Sequence, residues 1–267
     1  MTEATRPVRA ERHERAGRGE RTREETDQQI RSVARDLLVT RGRAAVTLRA
    51  IAREMGITAP ALYRYYDSFD DLLQRVCEDI CLDLAAELAA DLTALPETDT
   101  PGRVFAVCRG FRSWAVRHPR EFTLVFASPA GPSEPIGPDC VGAGGNVDPF
   151  GRIFLTVAGQ VLVTRDLVVP ADDEVPAALH ADLQAFRSGM FDTLRATGLP
   201  LPEQVFSLGV AYSMLRFWVR LYGQVALEVF GRFPFQVSDP EALFEAMLSE
   251  MAAEFGLAGE FGPATDE

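Results

Sequence analysis

Apolar residues recur three and four positions apart along most of this 267-residue chain, and nowhere do they alternate over the length of a strand. That spacing draws one apolar stripe down a helix, so the chain is expected to be all-α. The first such face opens near Arg23 and carries Ile30, Val33, Ala34, Leu37 and Leu38, with Gly42 where a left-handed cap ends a helix. Thr47 is an N-cap for a second helix over Leu48–Met55, and Gly56-Ile57 is a turn. Thr58 caps a third helix, Ala59–Tyr66, whose Pro60 lies in the first turn, where a missing N–H costs nothing. Ser68, with Asp71 three residues on, opens a fourth that runs to about Leu95. Beyond the loop at 96–102, further helices are expected at 103–117, 121–127, 150–164, 176–197, 202–231 and 240–255.

Composition removes several classes. Hydrophobic residues make up 47% of the chain, too many for global disorder. No apolar run reaches the roughly 18–20 residues of a membrane helix, and the first residues lack a signal peptide's apolar core, so a cytoplasmic protein is expected. Cys77, Cys81, Cys108 and Cys140 read as plain thiols, because His13, His118 and His180 are too scattered to complete a zinc site. No nucleophile–base pair or phosphate-cradling glycine loop occurs, and Gly142-Ala143-Gly144-Gly145 follows no strand. Neither enzymatic chemistry nor a cofactor or metal is expected.

The net charge of −12 argues against a nucleic-acid partner only if it is evenly spread. It is not. Residues 1–76 hold 15 arginines against 12 carboxylates, a net of +3, and the remainder holds 12 arginines against 27, a net of −15. A basic segment attached to an acidic one is a recognised form of polyanion binder. Arginine also recurs at 6, 9, 12, 15, 18 and 21, but residues 1–20 hold five arginines and four glutamates, so that stretch reads as a solvated tail. The expected division is a disordered tail over 1–22, a basic helical domain over 23–76, an acidic helical domain over 77–257 and a second tail over 258–267. The Pro- and Gly-rich stretch 128–149 is either a lid or disordered chain.

Two short helices hinged at Gly56 are the sequence form of a helix-turn-helix. In that motif the first helix braces against the backbone and the second enters the major groove by its N-terminal end. Thr47 and Thr58 put hydroxyls and free N–H groups where phosphates bind, although each can serve as a cap alone. Tyr63, Arg64, Tyr65 and Tyr66 cannot all be core: Leu62 and Tyr66 are placed to face inward, Arg64 and Tyr65 outward. Arg49 and Arg53 lie on the bracing helix, and Arg41 and Arg43 flank the turn before it.

The run Val46-Thr47-Leu48-Arg49-Ala50-Ile51-Ala52-Arg53-Glu54-Met55-Gly56-Ile57-Thr58-Ala59-Pro60-Ala61-Leu62-Tyr63-Arg64-Tyr65-Tyr66 resembles the tetracycline-repressor-like (TetR) family of transcriptional regulators. The resemblance implies phosphate contacts from Thr47, Thr58 and Tyr63. It implies an approach to base edges by Arg49, Ala59, Pro60, Arg64 and Tyr65. Phe69 stands where the family often places Lys or Arg to hold a phosphate, and Tyr66 replaces the usual Phe.

Two later elements, Phe111–Phe122 and Phe217–Gly231, are similar to a regulatory-domain subgroup that carries Trp-x-x-x-His-Gly, with Tyr222 here in place of the His. The resemblance implies a C-terminal domain that binds a small molecule and forms a homodimer through its last two long helices. Ligand candidates are Trp114, His118, Phe122, Phe126, Phe154, Phe186, Met190 and Tyr212, since such cavities are apolar with few polar groups. Each reads more readily as plain core, and His118 before Pro119 as a helix cap. Dimer candidates are Phe206, Val210, Met214, Phe217, Leu221, Leu243, Met247 and Met251. The expected whole is a homodimeric repressor on a pseudo-palindromic operator in double-stranded DNA, released by a small molecule and without a membrane partner. The other reading is an activator or protein-interaction module on the same fold.

Overall fold

A computed structural model describes residues 7–127, 149–196 and 205–258, without the side chains of 7–20, 22, 192–194 and 196. The stretch 128–148 with Cys140, the first six residues and the tail from 259 lie outside the described residues. Among those described there are ten α-helices and no strand: α1 Pro7–Arg41, α2 Leu48–Met55, α3 Ala59–Leu62, α4 Phe69–Thr93, α5 Thr100–Arg117, α6 Pro119–Phe126, α7 Pro149–Thr164, α8 His180–Ala196, α9 Leu208–Val229 and α10 Pro240–Glu254. The chain is all-α, as its periodicity implies.

Local signals set most of these boundaries. Thr47 accepts a hydrogen bond from the Ala50 N–H at 3.1 Å, satisfying one of the orphan donors at the start of α2. Gly56 ends α2 in the left-handed region at φ 68°, where any Cβ would be strained. Ser68 accepts from the Asp71 N–H, and the Asp71 carboxylate reaches back to the Asp67 N–H, a capping box extended by one residue. Ser207 and Asp239 cap α9 and α10 in the same way as Thr47.

Three expectations are corrected. α1 begins at Pro7, so the helix extends through most of the tail expected over 1–22: Ala, Glu and Arg sustain helix without an apolar stripe, and Pro7 suits a first turn. α3 stops at Leu62 rather than Tyr66; the N–H groups of Arg64 and Tyr65 bond back only three residues, tightening the chain before Ser68 must start α4. Thr58 precedes α3 but makes no side-chain capping bond.

The described residues through Cys77 form one compact unit, and those from Glu78 a second. In the first unit Ile30, Leu37 and Leu38 of α1 are buried together with Ile51, Ala52, Leu62, Leu72 and Leu73. Tyr66 is buried with them, and its hydroxyl donates to the Asp27 carboxylate, which also pairs with Arg31. Burial first, then the Asp27 carboxylate, pushes the Tyr66 phenol far above its usual range.

In the second unit α5 packs on α7 and α9. Phe111 is the centre of an aromatic cluster, stacked on Phe150 at 5.0 Å and edge-on to Phe126 at 5.3 Å, with Phe122 and Trp218 beside it. A neighbouring core gathers Leu155, Leu162, Leu183, Met190, Phe206 and Leu208. Bidentate pairs tie α5 to its neighbours: Arg112 to Glu228 and Arg109 to Glu245, each at 2.7–2.8 Å. Arg103 donates to the Leu92 carbonyl at the C-terminal end of α4, a helix with no basic residue in its last turn. Burial also pushes the Cys108 thiol far up, leaving it a neutral core group.

Candidate nucleic-acid interface and ligand cavity

The α2–α3 pair buries Ile51, Ala52 and Leu62 on one side and turns its polar residues to the other. Thr47, Arg49, Arg53, Thr58, Pro60, Tyr63 and Arg64 are exposed, and Ala59 and Tyr65 are half-buried. Tyr63 is 59% exposed, an unusual position for an aromatic ring unless it meets a partner. Arg49, Arg53 and Arg64 enter no ion pair among the described residues. Their guanidinium groups are therefore available to an outside anion. The Thr47 hydroxyl accepts from Ala50 and still has its proton to donate, so capping and phosphate binding are compatible there. The Thr58 hydroxyl does not cap.

Two arginine contacts that sequence reasoning missed support this face. Arg23 of α1 donates to the Arg64 carbonyl at 3.1 Å and lies 5.9 Å from the Tyr65 ring centroid. Its guanidinium sits over the ring, so Tyr65 is half-buried rather than fully outward as expected. Arg43 lies 5.2 Å over the ring of Phe69. A cation thus sits at the start of α4 even though residue 69 is not basic. Neither contact has a local signature, because the partners are 41 and 26 positions apart in sequence.

The second unit contains a hollow of about 240 Å³. Its wall includes Val104, Phe105, Phe150, Phe154, Leu162, Phe186, Val210, Ser213, Met214, Phe217 and Trp218. Of the eight ligand candidates, Phe154 and Phe186 are there. Trp114, Phe122 and Phe126 belong instead to the aromatic cluster, where ring–ring contacts use their surface. Met190 and Tyr212 pack in the neighbouring core. His118 terminates α5, stacks on Trp114 at 5.5 Å and pairs through Nδ1 with the buried Glu121 at 2.7 Å. Those six candidates do not line the hollow. Tyr222 donates its hydroxyl to the Phe126 carbonyl at 2.7 Å.

The dimer candidates fare similarly. Phe206, Val210, Leu221, Met247 and Met251 are buried within the chain, and Met214 and Phe217 line the hollow. Most of their surface is used within the chain, and of the eight only Leu243 is exposed, at 41%. The outward face of α9 carries Val219 and Leu227, with Gly223 midway between them at four-residue spacing and open space where its Cβ would stand; Leu215, one turn earlier, is exposed on one side and lines the hollow on the other. Sequence reasoning missed this ridge because α9 is apolar on more than one side.

Comparison with known proteins agrees with this geometry. Residues 30–76 match the family described as bacterial regulatory proteins, tetR family, and residues 104–251 match the tetracyclin repressor-like C-terminal domain. The HTH-type transcriptional regulators Rv1816 of Mycobacterium tuberculosis and Mb1846 of Mycobacterium bovis are each 30% identical over 240 residues, covering 90% of this chain and 96% of theirs. The crystal structure of the regulatory protein SCO4313 superposes with a TM-score of 0.58 at 26% identity, covering 88% of this chain and 98% of that one. With its α2–α3 motif inside the first match and most of its hollow inside the second, this chain belongs to the TetR family and is a DNA-binding transcriptional regulator.

Proposed function

We propose that the chain is a homodimeric repressor that reads a pseudo-palindromic operator through α2 and α3 and leaves it when a small molecule fills the second unit. The observation that carries the reading is the exposed, ion-pair-free set of Arg49, Tyr63 and Arg64 on a motif whose opposite face is buried. Thr47, Thr58 and Tyr63 are assigned to phosphates, and Arg49, Ala59, Pro60, Arg64 and Tyr65 to base edges. Phosphate contacts fix register, and base contacts supply sequence preference. Arg43, resting on Phe69, is assigned the phosphate contact that a basic residue 69 would otherwise make.

The dimer is assigned to the outward ridge of α9, Val219 and Leu227, together with Leu243 of α10. An exposed apolar row at four-residue spacing, opened by Gly223, fits helix-on-helix packing with a second copy. A two-fold dimer presents two reading motifs to two half-sites about one helical turn apart. Ligand and DNA then weaken each other by the same factor. Gel shift on fragments recovered by genome-wide DNA pull-down tests the reading. Wild type is expected to retain discrete fragments, and Tyr63→Ala and Arg64→Ala to lose them while keeping the dimer's mass.

A further inference from the structure

The hollow of the second unit is selective in a way its wall spells out. Among the described residues its wall holds no charged side chain, and its polar side-chain groups are the Ser213 hydroxyl and the Trp218 indole N–H. Ser213 is 5% exposed, and its hydroxyl makes no hydrogen bond among the described residues. A hydroxyl without a partner, opening on a hollow, has an unmet capacity for both donating and accepting. Ser213, Val169, Phe217 and Phe255 also wall a second hollow, which reaches Arg216 and Glu254. Both of those side chains are about half exposed, so that end meets solvent. The arginines there are already engaged: Arg220 contacts Glu254 at 2.6 Å and Glu250 at 3.4 Å, and Arg216 lies 3.6 Å from Glu254. Glu174, which also walls this second hollow, accepts from the Ala171 N–H at 2.9 Å and enters no ion pair among the described residues, so no unmatched positive charge waits there for an anionic ligand.

We propose that the hollow takes an uncharged, largely apolar molecule with a single hydrogen-bonding oxygen, seated with that oxygen on Ser213 and its apolar body toward Phe105 and Phe150. An apolar cavity of about 150 Å³ accommodates benzene, so about 240 Å³ corresponds to roughly ten non-hydrogen atoms. A carboxylate or ammonium would be stripped of water with no counter-charge in the wall, and a polyol would leave most of its hydroxyls unpaired. The inference rests on the ligand-released reading above and adds the chemical class of ligand.

Calorimetry on the purified full chain with nonan-1-ol, nonanoate, nonylammonium and butylbenzene tests it. The alcohol is expected to bind, and both charged analogues to bind at least about 50-fold more weakly. Ser213→Ala is expected to weaken nonan-1-ol about five-fold and to leave butylbenzene unchanged. Ala158→Phe or Leu155→Phe, whichever keeps the wild-type helical circular dichroism, is expected to abolish both. Charged analogues binding within about three-fold of the alcohol, no binding by the alcohol, or a Ser213→Ala effect equal for alcohol and butylbenzene would overturn the proposal. DNA retention in the same samples separates the two readings. Alcohol binding that leaves the DNA complex intact supports the ligand class and rejects ligand-driven release. Release by nonanoate alone does the reverse.

Discussion

Arginine does opposite work in the two units. On the α2–α3 face Arg49, Arg53 and Arg64 stand exposed with no carboxylate partner among the described residues. In the second unit Arg109, Arg112, Arg117 and Arg220 each meet a glutamate at 2.8 Å or less. The first arrangement leaves cationic charge for an outside polyanion. The second consumes it as clamps between helices. The same residue type, in a chain whose total charge is −12, is a binding group where it is alone and a structural one where it is matched. Charge distribution and pairing, rather than net charge, carry the functional information.

The comparison can be broken most directly at its two extremes. Tyr63→Ala with Arg64→Ala is expected to lower operator affinity by at least about 100-fold without changing the unfolding temperature, since neither side chain is core. Arg112→Ala should do the opposite. It leaves Glu228 largely buried and uncompensated, at a cost of about 3 kcal/mol in the stability of the second unit, read by denaturant titration, while the DNA-reading face is untouched. Equal effects of the two changes on DNA binding would erase the distinction.

Smaller changes sharpen it. Val219→Arg, on the α9 ridge, is expected to shift the sedimenting mass from dimer to monomer with little loss of helix, because Val219 is 58% exposed. Arg43→Ala should weaken operator binding several-fold and reduce the slope of log affinity against log salt by about one, the signature of a single lost phosphate contact.

The first unit was largely legible because each of its helices has one apolar face. Ile30, Ile51, Leu62 and Leu72 had a single place to go, which left the polar residues of α2 and α3 as the outward set. The limits of α2 followed from Thr47 and Gly56, whose chemistry is local. The helical backbone from Pro7 was not legible, because nothing apolar marks it. Nor were the arginine contacts to Tyr65 and Phe69, which depend on chain closure.

The second unit obscured its surfaces for the converse reason. α9 carries Leu208 and Leu221 for the core, Met214 and Phe217 for the hollow and Val219 and Leu227 for solvent. Apolar periodicity marks all of them and ranks none, because an apolar residue is free to lie on the surface. Trp114 and Phe122 look like ligand-binding aromatics in sequence for the same reason, and only the ring contacts with His118, Phe111 and Tyr222 assign them to packing.

The account's central claim is that the unpaired α2–α3 face, and not the acidic second unit, holds DNA. Fluorescence anisotropy on a labelled operator, across a salt series, measures this for wild type, Tyr63→Ala/Arg64→Ala and Arg117→Ala. The account predicts a steep linear fall of log affinity with log salt for wild type and Arg117→Ala alike, and near-complete loss of specific binding for the double variant. A double variant that binds like wild type, or a wild-type profile flat in salt, would contradict it.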